Sequence, residues 1–547
     1  MITYITYITR LYRQIKQLYT IKTYIDTIYT TFDNEELLLT SFKELKLLIF
    51  DSGSLYIKLF QWYISKLKSQ IISNDIIETP DSPIDILLQP DTLLDTPPDT
   101  PPDTTTETKQ KQKNTNISKF IHYFEDIFEQ CPYHTLKYTK QVFKESMNGI
   151  TIDEYIDITT LRLVASGSIG QVYYAKRKED GIEVAIKVKH PNIESDLENQ
   201  YELIKLIKFI QSVRYLRDKY NLFFNIDDFL EDINLQCDFN NEANNTTTFI
   251  NNFKDSSHFI IFPEPLYQSK DLLISRYIDG KDINTLTDMQ KYQTSLNFIC
   301  FFKQMLFVDN FIHGDLHCKN WKVRYNEESK TTQMIIYDCG ICFRNMSSSL
   351  TIDFWLALVN YDIDKIIILL KKFIIDNNNL DRFNIYDDKI SAKFDTDVKL
   401  IFKDIIKQSM GTSIVMKSIL NLFKTNNIVV HKFLLNFSIL VCVIEEYMKT
   451  HNLINKNVNE NVSMFDIIND SQLDIIAFCE VKKCYPKVKT IFEEHLQDNF
   501  KIYKNNIDKN KLEHNENESK KLFSSISLSG LSFKPPESFE SPQEPLS

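Results

Sequence analysis

Three short segments in a fixed order constrain this chain more than anything else in it. The first, Val184-Ala185-Ile186-Lys187, is an apolar run closed by a lysine. The second, His313-Gly314-Asp315-Leu316-His317-Cys318-Lys319-Asn320, sets an amide five residues beyond a carboxylate. The third, Asp338-Cys339-Gly340, follows the apolar run Met334-Ile335-Ile336, which fits a strand delivering a carboxylate to a site. Each alone is a weak signal. Together they supply one long cation and a set of hard oxygen donors, which suits phosphate oxygens and a small divalent ion.

The chain has 547 residues, and 43% of them are hydrophobic, so a substantial core can be buried. At roughly 150 residues per domain, one large domain with appendages or two to four domains would fit. The net charge of -11 argues against nucleic acid as a partner, because a phosphate backbone attracts basic surfaces. Glycine is sparse, at 10 residues, so each one present is informative. The 9 cysteines are odd in number and irregularly spaced, which points to a reducing, intracellular compartment. No run reaches the roughly 18 apolar residues of a membrane span. Phe433 to Ile444 comes nearest and reads as a buried core helix.

Residues 1–75 read as a helical extension. Ile5, Ile8, Tyr12, Ile15 and Tyr19 would share one helical face, opposite Arg10 and Arg13. A helix packed on the domain is the leading reading. An organelle-targeting or membrane-surface segment is the other, compatible with a mitochondrial or membrane-peripheral location. Residues 76–117 are a Pro/Thr-rich linker that includes Pro97-Pro98 and Pro101-Pro102. Residues 118–500 read as one folded unit: strands around 160–190, helical patterns at 193–218 and 226–252, strands at Phe259–Phe262 and Leu272–Tyr277, then mainly helix. Residues 501–547 form a Ser/Pro-rich tail expected to be disordered.

The three segments match the kinase pattern V-A-I-K, H-x-D-L-x-x-x-N and D-x-G. Ala165-Ser166-Gly167-Ser168-Ile169-Gly170-Gln171-Val172 adds a loop of the G-x-G-x-x-G-x-V type, with Ala165 in place of the first glycine. Its glycines would let backbone N–H groups approach phosphate oxygens. Lys187 would hold the α/β-phosphates, and Glu242 is the candidate carboxylate that fixes it. Asp315 would accept or orient the nucleophile's proton, while Asn320 and Asp338 would hold the metal ion. The 55 residues from Lys187 to Glu242 are too many for an ordinary protein kinase, so extra helices must intervene. Cys339-Gly340-Ile341-Cys342 is a C-x-x-C. Redox or zinc chemistry there is disfavoured, since Cys339 is the centre of the D-x-G element and no second pair exists.

Val184-Ala185-Ile186-Lys187-Val188-Lys189-His190-Pro191, Asn241-Glu242-Ala243-Asn244-Asn245, the Asp315–Asn320 loop and Asp338-Cys339-Gly340 resemble the UbiB family of atypical kinases, the aarF-domain proteins. The resemblance covers about residues 50 to 450. It implies an α+β fold: an atypical protein-kinase-like bilobal fold, mostly helical, with a small antiparallel-sheet N-lobe and an N-terminal helical extension. It implies ATP (or ADP) and Mg²⁺ as cofactors and a role linked to lipid or isoprenoid-quinone metabolism at a membrane surface. The phosphoryl acceptor stays unassigned. The family's alanine-rich loop falls on Ala165, Ser166, Gly167 and Ser168. Its inhibitory N-terminal K-x-G-Q element falls on Lys58-Leu59-Phe60-Gln61, a regulatory lid here represented by Lys58 and Gln61.

The chain departs from the family at several points. Phe60 replaces a glycine, Gln236 replaces the acid that would partner Lys58, and Ser166 and Gly167 replace alanines. Arg276 stands at a usually acidic position near the adenine site. Leu316 and Cys318-Lys319 replace the proline-rich spacing of the metal loop. Two rival readings remain open. One is a small-molecule phosphotransferase of the choline-kinase or aminoglycoside type, which His313-Gly314-Asp315-Leu316-His317 also fits. The other is a non-catalytic nucleotide-sensing scaffold.

Overall fold

The computed structural model describes residues within 12–64, 119–209, 226–375 and 388–441, with gaps inside these ranges. The linker at 76–117, the tail at 501–547 and the part of the folded unit beyond 441 lie outside the described residues.

Alternation along the strands creates the first layer. β1 (Ile156–Ser166), β2 (Gly170–Arg177), β3 (Glu183–Lys189), β5 (Pro265–Gln268) and β6 (Leu272–Arg276) form an antiparallel sheet in the order β1-β2-β3-β6-β5. In β2 and β3, Tyr173, Ala175, Val184, Ile186 and Val188 point to one face and are buried with Val142 and Phe143. Those two belong to the helix Leu136–Ser146, whose Thr135 N-cap accepts from the Tyr138 N–H. The period of two sends Val172, Ala185 and Lys187 to the opposite face. On that face Lys187 meets Phe239 and Glu242.

Among the described residues, helical segments intervene between Lys187 and Glu242, as the long gap requires: Ile193–Asn199, short stretches at 204–205 and 207–209, and Ile226–Gln236. The expected continuous helix over 226–252 is broken at Cys237 and Asp238. The Asp238 carboxylate accepts from the Asn240 N–H and starts a new helix, Phe239–Asn252. Its buried stripe is Phe239, Glu242, Ala243, Thr246 and Phe249, a helical repeat with one acid in it.

The second strand region differs from expectation. β4 (Ile260–Ile261) does not pair with Leu272–Arg276, whose partner is Pro265–Gln268. Instead β4 runs parallel to β9 (Thr331–Ile336), which pairs with β8 (Trp321–Asn326) in a separate three-stranded sheet. Phe262, Phe249 and Phe301 pack around this sheet in the largest core cluster. The helices Asp288–Lys303, Ile363–Ile375, Asp388–Gln408 and Thr412–Thr425 complete the lobe. Phe433, Leu434, Phe437, Leu440 and Val441 are buried there, so the apolar run after 433 is core. Residues 442–444 lie outside the described part. No helix among the described residues is long and apolar enough to cross a membrane.

The N-terminal helices Glu35–Asp51 and 54–61 do not stand apart. Leu38, Phe42, Leu45, Ile57 and Phe60 share one core with Phe120, Ile121, Phe124 and Ile127. Phe60 sits 4.9 Å from Phe124 and 5.9 Å from Phe120, ring to ring. The side chain that replaces the family's glycine therefore docks the helix. Phe60→Ala should lower stability by about 3 kcal/mol, because a buried aromatic is exchanged for a cavity. Urea denaturation checks this, and an unchanged midpoint would show that the helix is not docked through Phe60.

Candidate active site

Glu242 is an acid in an apolar helical stripe, and such a group needs a partner when it is buried. It has one. Lys187 Nζ lies 2.7 Å from Glu242 Oε2 and 3.5 Å from Asp338 Oδ2. Phe239, one turn before Glu242, sets its ring 5.2 Å from the same ammonium. One cation thus holds two carboxylates from different lobes. Burial opposes the Lys187 charge, but Asp338 and Glu242 hold its pKa above the ordinary range. Burial also works against the Asp338 charge. Lys187, Lys58 and a Gly340 N–H overcome it and keep that carboxyl well below the usual range. Glu242 receives less help, and burial pushes its pKa up to about 7 against the pull of Lys187.

Asp338 is held in a left-handed backbone conformation, φ 48°, which an L-residue adopts only where its surroundings impose it. Its Oδ1 accepts from the Gly340 N–H at 3.2 Å. A Cβ on Gly340 would come within 3.0 Å of that oxygen and 3.3 Å of Gln236 Cγ, so a side chain there would press on both. Gln236, in place of an acid, packs on this turn as a neutral amide. The Asp338 side chain remains 45% exposed, open to a ligand.

The loop from His313 to Asn320 is tied by its own side chains. His313 Nδ1 accepts from the Asp315 N–H at 3.2 Å, leaving Nε2 to donate to the Tyr337 carbonyl at 3.3 Å. Asn320 Nδ2 donates to the Asp315 carbonyl at 2.7 Å, which leaves Oδ1 as an acceptor for a metal ion. The Tyr337 N–H donates to the Asn320 carbonyl at 2.8 Å, tying Asn320 to the residue before Asp338 through the backbone. His317 Nδ1 accepts from the Lys319 N–H, and Nε2 stands 3.9 Å from Asp315 Oδ2. Burial lowers the His317 pKa, with Asp315 opposing. Among the described residues no cluster of three or more His, Cys, Asp or Glu could hold a metal alone. One carboxylate and one amide oxygen fit Mg²⁺, which takes few protein ligands and fills its shell with phosphates and water.

Ala165 to Gly170 turn between β1 and β2, closed by a Gly167 N–H to Gly170 carbonyl bond of 2.9 Å. The two glycines have different reasons. A Cβ on Gly170 would lie 2.7 Å from the Val188 carbonyl, so this glycine admits β3 rather than a phosphate. Gly167 has no such neighbour closer than 3.6 Å. Arg276 ends β6, exposed and 3.4 Å from Glu264.

The helix at 54–61 brings Gln61 to this loop. Gln61 is buried, donating to the Ile127 carbonyl at 2.9 Å and accepting from Ser168 Oγ at 3.4 Å. Lys58 is close enough to depress the pKa values of both Asp338 and His317. A strap that sequence reasoning missed, residues 125–131, completes the cover. Glu129 accepts from the Ser166 N–H, and Ser166 accepts from the Cys131 N–H. Phe128 lies 4.5 Å from the His317 ring, and Glu129 pairs with Lys319 at 3.4 Å. An irregular segment without periodicity gives little signal in one sequence.

Cys131, Cys237, Cys339 and Cys342 are free thiols. Cys342 Sγ donates to the Cys339 carbonyl at 3.3 Å within the turn after Asp338.

Comparison with known proteins finds relatives for part of this chain. Residues 126–370 match the ABC1 atypical kinase-like domain. A probable serine/threonine-protein kinase, abkC, of Dictyostelium discoideum is 31% identical over 217 residues, which is 38% of this chain and 31% of that protein. AarF domain-containing protein kinase 1 of Xenopus tropicalis is 25% identical over 236 residues, covering 41% and 44%. A probable protein kinase UbiB of Klebsiella pneumoniae is 30% identical over 218 residues, covering 38% and 39%. The chain thus spans less than half the length of these relatives. Among solved structures, the Rv3197–erythromycin complex of Mycobacterium tuberculosis matches with a TM-score of 0.34 and 20% identity, covering 44% of this chain and 61% of that one. The ABC1 match encloses Lys187, Glu242, Asp315, Asn320 and Asp338 together, and over this part the chain is similar to the UbiB family of atypical kinases.

Proposed function

We propose that this chain binds Mg-ATP and transfers or hydrolyses its terminal phosphoryl group. One observation carries the reading: Lys187 bridges Glu242 at 2.7 Å and Asp338 at 3.5 Å. That arrangement presents an ammonium where α/β-phosphates would lie and a low-pKa carboxylate where their metal would sit. Ala165 to Ser168 would line the phosphate side, with Asn320 Oδ1 and Asp338 as the metal ligands. A bound Mg²⁺ would neutralise phosphate charge. Asp315 would take or orient the acceptor's proton, its backbone fixed by His313 and Asn320 and its carboxylate flanked by His317. Lys58 and Gln61 act as a lid. With the strap at 125–131 they favour a small or lipidic acceptor over a protein, which supports a role in lipid or isoprenoid-quinone metabolism. The same cover supports the non-catalytic scaffold as the second reading.

A membrane surface is the proposed location. Tyr12 and Tyr19 are 67% and 71% exposed, while Leu18 and Ile21 pack inward, so the N-terminal helix turns aromatic groups outward.

Thermal unfolding with Mg-ATP tests the reading. At a hundred times its dissociation constant, nucleotide should stabilise the parent by about 2.7 kcal/mol. Asp338→Asn should lose that shift. Equal shifts in both proteins would remove Asp338 from the site, and no shift with ATP or ADP in the parent would refute nucleotide binding.

A further inference from the structure

Behind the phosphate loop lies a pair of histidines that none of the chemistry above uses. His190 ends the run that begins at Val184, and His134 precedes the helix Leu136–Ser146. Their Nδ1 atoms are 2.8 Å apart. His190 Nε2 lies 3.1 Å from the Gly167 carbonyl and 3.3 Å from Ser166 Oγ. His134 Nε2 lies 3.0 Å from Thr139 Oγ1, which is 3.0 Å from the Tyr173 hydroxyl.

The protons in this chain of contacts can be assigned from one end. The Gly167 carbonyl can only accept, so His190 Nε2 carries a proton. A neutral His190 then has a bare Nδ1, and His134 must donate to it from Nδ1. That leaves His134 Nε2 as an acceptor for the Thr139 hydroxyl. The Thr139 oxygen is then free to accept from Tyr173, whose oxygen accepts from Gln171 Nε2. Gln171 Oε1 in turn accepts from the His134 N–H at 2.9 Å, closing the ring. With both imidazoles neutral, every donor in this chain of contacts has one acceptor.

We propose that His134 and His190 are positioning residues: a two-imidazole latch that fixes the Gly167 carbonyl and so the orientation of the phosphate-loop N–H groups. This rests on the nucleotide reading above for its purpose, but not for its geometry. Protonating both rings would set two N–H groups against each other across 2.8 Å, and the latch would part. The groups packed on the pair are Tyr138, edge-on to His134 at 4.8 Å, Tyr173 and the Ser166 hydroxyl. Lys189, beside His190, is occupied by Glu194 and Asp271, and Glu145, Glu194 and Asp271 act on Tyr138. Burial lowers both imidazoles, His134 to about 4. A depressed histidine contributes stability that is complete above its unfolded value and lost as pH falls. The latch therefore contributes in full at neutral pH, and its contribution declines as pH falls below about 6.5 toward the depressed folded values.

Two variants test it. His134→Phe keeps a ring but removes the donor, whereas His134→Asn can return an N–H near the Nδ1 position. Losing one hydrogen bond at about 1 kcal/mol corresponds to roughly a fivefold change. Hydrogen exchange of backbone amides 166–170, read without nucleotide, should speed up by about that factor in His134→Phe. It should return toward the parent rate in His134→Asn. Mg-ATP affinity should weaken by a similar factor in the Phe variant alone. Equal exchange in all three proteins overturns the latch, as does equal slowing or quickening in both variants. If the parent fails to bind Mg-ATP while exchange follows the expected order, the latch stands and the nucleotide reading falls.

Discussion

Lys187→Met should destabilise the folded protein by about 3–5 kcal/mol at pH 8, the cost of removing one partner from a buried ion pair. The reason is local. Glu242 is buried in the stripe of the helix Phe239–Asn252, and Lys187 is the cation that holds it at 2.7 Å. Without it, desolvation acts on Glu242 unopposed, and its pKa rises further from about 7. An acid whose folded pKa is raised above its unfolded value binds protons more tightly when folded. The variant's stability is then highest in acid and falls as pH rises through 4.5 and beyond. Urea denaturation at pH 5.5 and pH 8 reads this directly, with the smaller loss expected at pH 5.5. The double variant Lys187→Met/Glu242→Met should recover much of the loss, since apolar replacement of both partners is often near neutral. A single variant within 1 kcal/mol of the parent at both pH values would mean that the pair is not desolvated.

Asp315→Asn should lower ADP release by about 10²–10⁴-fold, the usual contribution of a positioned general base. The substitution keeps the shape of the side chain. The Asp315 N–H still reaches His313 Nδ1, and the carbonyl still accepts from Asn320, because both contacts use backbone atoms. What disappears is the carboxylate's ability to take a proton beside His317. The Mg-ATP thermal shift should therefore persist while turnover is lost. Undiminished ADP release in Asp315→Asn would assign proton transfer elsewhere. A parent that shifts but releases no ADP would favour the scaffold reading.

Much of the candidate site's layout was legible because it depends on local spacing. A lysine closing an apolar strand, an aspartate ending another, and an amide five residues from an aspartate each encode their geometry in a few adjacent residues. Glu242 was legible as the helical acid, although its partner is 55 residues away. What was hidden lies in contacts without a pattern. Gln61 reaches Ser168 across 107 positions, and the strap at 125–131 has neither period two nor period 3.6. β4 is two residues long, too short for alternation to show which sheet it joins. The His134–His190 pair spans 56 positions and joins two loops. Gly170 was read as a phosphate glycine, yet the atom it makes room for is the Val188 carbonyl.

The docking of Phe60 has a consequence for how ligands come and go. The cover over Asp338 and His317 is continuous with the aromatic core of Phe42, Phe60, Phe120 and Phe124, so it cannot swing aside as a rigid flap. Lifting it exposes that core to water, so any opening beyond the part of Asp338 already exposed is a local unfolding event with its own free energy. Wider access then becomes a thermodynamic quantity rather than a question of aperture. Mild denaturant, or a surface that absorbs the exposed aromatic groups, would act as an activator at doses that leave the two lobes folded.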